Sequence, residues 1–308
     1  MKLIEQTTEF HIPEVTAIAI GKFDGMHRGH RKLFSCLMKE AKERGLKTAV
    51  FTFYPSPAVF FSGKQEGELT TREEKLRIFE RMGIDYLVEC PFCKETADMD
   101  PEVYVEEFLL SKMNGRLIVA GEDVTFGKKA KGDRSLLESL SKECGFDVKI
   151  IEKITFDGRQ ISSTYVRQEV IRGNMEGAAN LLGEPYFVSG KVEHGKKLGR
   201  KLHMPTANLY PGEDKLLPPK GVYFSNVILK GSAYPAITNI GSRPSVKDGE
   251  RINAETYLLD FNKEIYGEQI KVELLHFRRA EARFPNEEAL KAAVHENIRE
   301  AREYFKLS

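Results

Sequence analysis

The chain has 308 residues, 41% of them hydrophobic, with 47 Lys and Arg against 46 Asp and Glu and a formal net charge of +1. The length exceeds the usual single core and agrees with more than one domain. The near-zero charge gives no global reason to expect nucleic acid or a membrane as partner. No apolar run is long enough to span a bilayer, and the first residues, Met1-Lys2-Leu3-Ile4-Glu5, lack the regions of an export signal, so a cytoplasmic location is expected.

The most informative segment comes early. A short β-branched run at 15–20 reads as a buried strand, and 31–44 reads as a helix with Leu33, Phe34, Leu37, Met38 and Ala41 on one face and Lys39, Lys42 and Arg44 pointing away. Between them lies Gly21-Lys22-Phe23-Asp24-Gly25-Met26-His27-Arg28-Gly29-His30. A strand, a Gly-rich turn and a helix N-terminus make an anion site, because free backbone N–H groups and the positive end of the helix dipole face the turn. His27 and His30 are three residues apart, so both rings can converge on one phosphoryl group. A lone histidine here would ordinarily be a cap or a surface residue; two bracketing Gly29 after a buried strand form a far more restrictive pattern.

Further strands are expected at 46–53, 85–89, 116–121 and 148–151, with helices between them, which is the signature of a parallel α/β sheet. Thr71 with Glu74 forms a capping box for a helix at 72–82, and Pro101 opens an amphipathic helix to about Met113. Cys90-Pro91-Phe92-Cys93 has redox-motif spacing, but no second pair completes a metal site. Four cysteines in this length do not make a disulfide framework, and Cys36 and Cys144 fall within or near the end of helices. Active sites of such sheets lie at the carboxyl ends of the strands, where His27, His30 and the loop Gly121-Glu122-Asp123-Val124-Thr125-Phe126-Gly127 would meet. Near the end of this region, Ile161-Ser162-Ser163-Thr164-Tyr165-Val166-Arg167 starts another helix with hydroxyls, N–H groups and a cation one turn on, either an ordinary cap or a second phosphate site.

After Leu181-Leu182-Gly183 the texture changes to short β-rich stretches at 186–192, 222–229, 255–261 and 269–275, closed by a helix at 286–305. Two domains follow, 1–183 and 184–308, the second a small antiparallel barrel. Pro205-Thr206-Ala207-Asn208, beyond the Gly- and Lys-bearing loop at 195–201, places a hydroxyl and an amide oxygen two residues apart. These are hard ligands suited to Mg²⁺ carrying nucleotide phosphates, although the tetrapeptide alone is an ordinary turn.

Taken together, Gly21, Phe23-Asp24-Gly25 and His27-x-Gly29-His30 resemble the His-x-Gly-His nucleotidyltransferase superfamily. Within it they are similar to the adenylyltransferase half of the prokaryotic bifunctional riboflavin kinase/FMN adenylyltransferases, or FAD synthetases. The resemblance implies that His27 and His30 stabilise the α-phosphate of ATP in transit. Gly21, Phe23, Asp24, Gly25, Gly29, Asp123, Ser162, Ser163, Thr164 and Arg167 would bind ATP, and Phe126 the flavin. In the second half, Gly221-Val222-Tyr223, Asn239-Ile240-Gly241 with Arg243-Pro244, Glu255, and Arg279 with Glu281 and Phe284 occur in the order of riboflavin kinases. There the resemblance implies ATP binding at Gly195, Gly199 and Arg200, Mg²⁺ at Thr206 and Asn208, and Glu255 as the base for the riboflavin 5′-hydroxyl. Lys22 for Asn, Ser56 in Tyr54-Pro55-Ser56-Pro57 for His, Val124 for an aromatic, His203-Met204 for Gly-Phe, Ser245 for Thr and Tyr257 for His depart from the pattern. The implied function is riboflavin to FMN and FMN to FAD, each with ATP. The alternatives are an adenylyltransferase with an impaired kinase half, or a flavin-sensing protein without turnover.

Overall fold

The structure, a computed structural model, describes residues 1–63, 67–194, 206–245 and 249–307. Gly195, Gly199, Arg200, His203 and Met204 lie outside the described residues. The chain separates into two compact units, Met1–Ser163 and Thr164–Ser308.

The first unit is built on six parallel strands, β1 (Lys2–Glu5), β2 (Thr16–Ile20), β3 (Lys47–Tyr54), β4 (Tyr86–Pro91), β5 (Gly115–Gly121) and β6 (Asp147–Ile151), in the order β1-β4-β3-β2-β5-β6. The expected strands are all present. β1 was not foreseen, because four residues at a sheet edge carry little pattern; it pairs with β4 from Lys2 opposite Tyr86 to Glu5 opposite Glu89. Every residue of β2 is buried, as a central strand covered on both faces must be. From β2 the chain steps outward through β3 and β4, then returns to lay β5 along the free side of β2, so the topological switch lies between β2 and β5.

Helix α1 (Arg28–Arg44) follows β2, α2 (Pro57–Ser62) follows β3, and α3 (Arg72–Met82) precedes β4. α1 buries Leu33, Phe34, Leu37 and Ala41. α3 carries both bonds of the expected capping box, Glu74 N–H to Thr71 Oγ1 at 3.3 Å and Thr71 N–H to Glu74 Oε2 at 3.1 Å. α4 (Lys94–Ala97) and α5 (Pro101–Val103) come next, and α5 runs into a wider π-helical segment, Tyr104–Lys112. That segment buries Tyr104, Val105, Phe108 and Leu109 in the sheet's core. α6 (Arg134–Cys144) and a short hairpin, β7 (Thr155–Phe156) with β8 (Arg159–Gln160), flank β6 in sequence.

α7 (Ser163–Arg172) and α8 (Met175–Leu182) lead into six antiparallel strands, β9 (Tyr186–Lys191), β10 (Thr206–Leu209), β11 (Gly221–Leu229), β12 (Ser232–Ser245), β13 (Gly249–Leu258) and β14 (Gln269–Ala280). Their order is β10-β13-β12-β11-β14-β9. Glu193 N–H donates to Asn208 O at 2.9 Å just beyond β9, so the two edges are tied and the sheet curls into a barrel. Its interior holds Tyr223, Ser225, Thr238 and Thr256, all fully buried. The three hydroxyls satisfy one another at 2.8 and 2.9 Å, which removes the cost of burying them unpaired. α9 (Glu287–Phe305), capped by Asn286, covers the outer face at Val222, Phe224, Ile237 and Leu259 through Ala301.

Candidate functional site

The turn after β2 is held open from below. Phe23 is buried against Phe34, with ring centroids 4.8 Å apart, although its φ of 51° is a left-handed conformation unfavourable for a bulky side chain. Asp24 also faces inward: its Oδ1 accepts from Thr70 N–H at 3.2 Å, and its carbonyl accepts from Ser163 Oγ at 2.8 Å. The first residue of α7 is therefore bonded directly to the Phe23-Asp24-Gly25 loop. Gly25, at φ 85°, leaves room for Leu69, whose Cδ1 would lie 2.8 Å from an added Cβ.

His27 caps α1, its Nδ1 accepting from His30 N–H at 3.4 Å. The two imidazoles stack with centroids 3.7 Å apart and planes 17° from parallel. An added Cβ on Gly29 would stand 3.2 Å from the His27 ring, so glycine is what lets the ring lie over the first turn. Burial lowers the His27 pKa to about 4, against the pull of Asp123 and Asp24, and burial and then His27 hold His30 well below its usual value. Both rings are therefore neutral at pH 7. With Nδ1 accepting, the His27 proton sits on Nε2 and remains a donor. His30 Nδ1 is buried without a hydrogen-bond partner among the described residues.

This sets a pH dependence. A His that titrates at about 6.5 unfolded and about 4 folded contributes stability above pH 6.5 that is lost as pH falls towards 4, on the order of 3 kcal/mol for His27. Thermal melts of the ligand-free protein should therefore drop in Tm between pH 7.5 and 5. His27→Gln should show a smaller drop, and an identical slope would contradict the assignment.

Beside His30, at the carboxyl ends of β2, β3 and β5, lies a cavity of about 770 Å³, a size suited to a cofactor-sized ligand. Gly21, His30, Gly121 and Asp123 line one part of it, and Asp123 is paired with Lys153 at 3.2 Å. A group of aromatic rings lines another part. Phe126 is buried against Tyr104 at 5.5 Å, and Gly132 makes space for it, since a Cβ there would meet its ring at 2.4 Å. Phe92 takes edge-on contacts from Phe53, Phe60 and Phe61 at 5.0, 5.2 and 5.7 Å. Phe61 is 73% exposed, an unusual state for such a ring without a ligand.

Sequence reasoning named Phe126 and missed Phe53, Phe60, Phe61 and Phe92. The tandem Phe60-Phe61 was the available signal, and Phe92 was hidden within the Cys90–Cys93 spacing. All four cysteines are free, and burial pushes the Cys90 thiol up to about 12, so it is no nucleophile. No group of three His, Cys, Asp or Glu among the described residues could hold a metal ion.

In the second unit, pairing of β10 with β13 brings the expected kinase residues together. Thr206 and Asn208 are two apart and share a face, and Asn208 lies opposite Glu255. Thr206 Oγ1 donates to Glu255 Oε1 at 2.7 Å. Asn253 Nδ2 donates to Asn208 Oδ1 at 3.4 Å, and both amides are buried. Asn239 of β12 pairs with Glu255 from the other side. A pocket of about 60 Å³ beside Thr206 is bounded by Ala207, Leu258, Phe261 and Tyr266. Tyr257 packs against the cluster under α9, which gives the departure from histidine a packing role. Arg279 donates to Asn297 Oδ1 at 3.2 Å and lies over the Phe284 ring at 5.6 Å.

Two families match the chain in succession. Residues 9–165 match the FAD synthetase family and residues 182–305 match riboflavin kinase. The bifunctional riboflavin kinase/FMN adenylyltransferase of Escherichia coli K12 is 37% identical over 297 residues, 96% of this chain and 94% of that protein. The protein of the same name from Bacillus subtilis 168 is 34% identical over 314 residues, covering 99% and 98%. A crystal structure described as a macrolide-efflux protein from Streptococcus pneumoniae superposes with a TM-score of 0.83 at 29% identity and covers 98% of both chains. No helix among the described residues of the present chain is long and apolar enough to cross a membrane.

Proposed function

Because this chain belongs to the bifunctional riboflavin kinase/FMN adenylyltransferases, enzymes of FAD biosynthesis, we propose that FAD is formed at the His27–His30 turn and FMN at the Thr206–Asn208–Glu255 cluster. The observation that carries the first assignment is the neutral, stacked histidine pair beside a cavity walled by aromatic rings.

In the adenylyl transfer, a phosphate oxygen of FMN attacks the α-phosphorus of ATP. The new P–O bond forms as the bond to the bridging oxygen breaks, and pyrophosphate leaves. The acceptor is already an anion and needs no base, so the task of the protein is to place it and to stabilise the charge that develops. Neutral imidazoles with fixed N–H donors do this without first gaining a proton. The start of α7, with Ser162, Ser163 and Thr164, offers N–H groups and hydroxyls to the leaving β- and γ-phosphates, and Arg167 offers charge. The aromatic wall takes the isoalloxazine ring.

In the kinase reaction Glu255 accepts the proton of the riboflavin 5′-hydroxyl as its oxygen attacks the γ-phosphorus and ADP leaves. Thr206 donates to the Glu255 carboxylate and fixes its orientation. The oxygens of Thr206 and Asn208 suit Mg²⁺, which keeps waters and nucleotide oxygens and needs few protein ligands. When bound, Mg²⁺ would offset charge on the nucleotide phosphates.

Arg167→Ala tests the first assignment. The KM for ATP in FAD formation should rise about tenfold, the loss of one charged donor, while FMN formation from riboflavin stays within twofold. Unchanged ATP dependence would remove Arg167 from the site. Gly29→Ala should lower kcat for FAD formation, because the added methyl would meet the His27 ring at 3.2 Å and displace it, and a parent-like kcat would show that the ring position does not matter.

A further inference from the structure

The mechanism above leaves unexplained how the adenylyl-transfer site chooses its acceptor. The chain itself consumes riboflavin, and riboflavin and FMN carry the same ring, so an aromatic wall binds both alike. Only the phosphate distinguishes them, and it carries about −1.5 to −2 charges at neutral pH.

The cavity lining includes three lysines from three separate segments: Lys22 in the turn after β2, Lys94 at the start of α4, and Lys129 in the turn after Phe126. All three are exposed, and none of their ammonium groups lies within ion-pair distance of a carboxylate among the described residues, although the Lys94 backbone carbonyl accepts from Asp98 N–H at 3.0 Å. The two carboxylates in the same lining are each paired with a cation that does not line it, Asp98 with Lys128 at 3.1 Å and Asp123 with Lys153 at 3.2 Å. The lining thus carries three lysines, none ion-paired among the described residues, beside its aromatic rings.

Lys129 is held there at a cost. It and Ala130 both have φ of 54°, in the left-handed region that side-chain-bearing residues avoid. The turn is clamped at its base by paired hydrogen bonds between Phe126 and Gly132 at 3.0 and 2.9 Å and by Lys128 N–H to Met99 O at 2.7 Å. The same clamp that seats the Phe126 ring therefore projects Lys129. Lys94 lies two residues beyond Phe92, another wall ring. On the assignment proposed for this site, the nucleotide phosphates take the histidine turn and the start of α7 instead.

We infer that Lys22, Lys94 and Lys129 select the phosphorylated acceptor, binding the FMN phosphate and so favouring FMN over unphosphorylated flavin at the adenylyl-transfer site. The inference rests on the assignment of that reaction to this cavity. The lysines also offset the repulsion between the acceptor phosphate and ATP as the two anions approach. They are positioning and specificity residues and exchange no proton with the reacting atoms.

The test is steady-state FAD formation from FMN and ATP by the full chain and by a Lys22→Gln, Lys94→Gln, Lys129→Gln triple variant. 5′-Deoxyriboflavin, which has no hydroxyl to phosphorylate, serves as the competing neutral flavin. In the triple variant the KM for FMN should rise at least about tenfold, with KM for ATP and kcat within about twofold. The inhibition constant of 5′-deoxyriboflavin should stay put, so that its ratio to the FMN KM falls by the same factor. Arginine at the three positions should restore most of the FMN affinity, which separates lost charge from a damaged fold. A rise confined to the ATP KM, equal losses for FMN and the neutral flavin, or no change would overturn the inference. If the parent chain forms no FAD from FMN and ATP, the assignment beneath it falls as well.

Discussion

Glu255→Gln is expected to slow FMN formation from riboflavin by roughly 10²–10⁴-fold, the usual contribution of a general base, while riboflavin still binds. The amide keeps the shape of the carboxylate and can still meet the Thr206 hydroxyl that now donates to Glu255 Oε1 at 2.7 Å. What it loses is the capacity to accept a proton. When FMN is supplied instead, the same variant should form FAD at the parent rate, which also shows that the chain is folded. Parent-like FMN formation would mean that Glu255 is not the base, despite its place opposite Asn208.

His30→Ala should produce the complementary defect. Removing one preorganised donor to developing charge typically costs roughly 10²–10³-fold in kcat, so FAD formation should fall by that factor while riboflavin phosphorylation continues. The stacked geometry adds a second consequence. Without the neighbouring ring at 3.7 Å, His27 becomes better hydrated, and its pKa should rise from about 4 towards 6.5, which can be read from its ring resonances in a pH titration. A variant that loses both activities equally while remaining folded would contradict separate centres.

Much of this was legible in the sequence. The strand–turn–helix around His27 and His30 was marked by a switch from a buried apolar run to a helical period, and Thr71 with Glu74 announced α3. Thr206, Asn208 and Glu255 were named before any pairing was known, and the register of β10 against β13 brings them onto one face.

What the sequence did not disclose depends on tertiary packing. β12 runs for 14 residues through Pro235, Gly241 and Pro244, which read locally as breakers. The aromatic wall draws Phe53 from β3, Phe60 and Phe61 from α2, and Phe92 from the loop after β4. No spacing rule links them. The compact units meet at Ser163/Thr164, while α7 and α8 continue the strand–helix texture of the first half. α8 instead packs on β9 and β14 and buries Met175, Ala178, Leu181 and Leu182. Of the departures, Lys22 and Val124 both line the cavity.

The central claim is that one chain holds two separable centres working in sequence, and a mixing experiment tests it most directly. Full-length His30→Ala and Glu255→Gln proteins, each shown to be folded, are incubated singly and together with riboflavin, ATP and Mg²⁺, and the flavins are separated by chromatography. Alone, the first should accumulate FMN without appreciable FAD and the second should leave riboflavin largely unchanged. Mixed, they should form FAD through FMN released by the first and adenylylated by the second. A mixture that makes FMN but no FAD, although the second protein converts added FMN, would contradict two centres linked by free FMN; FAD from either variant alone at the parent rate would contradict the assignment of the residues.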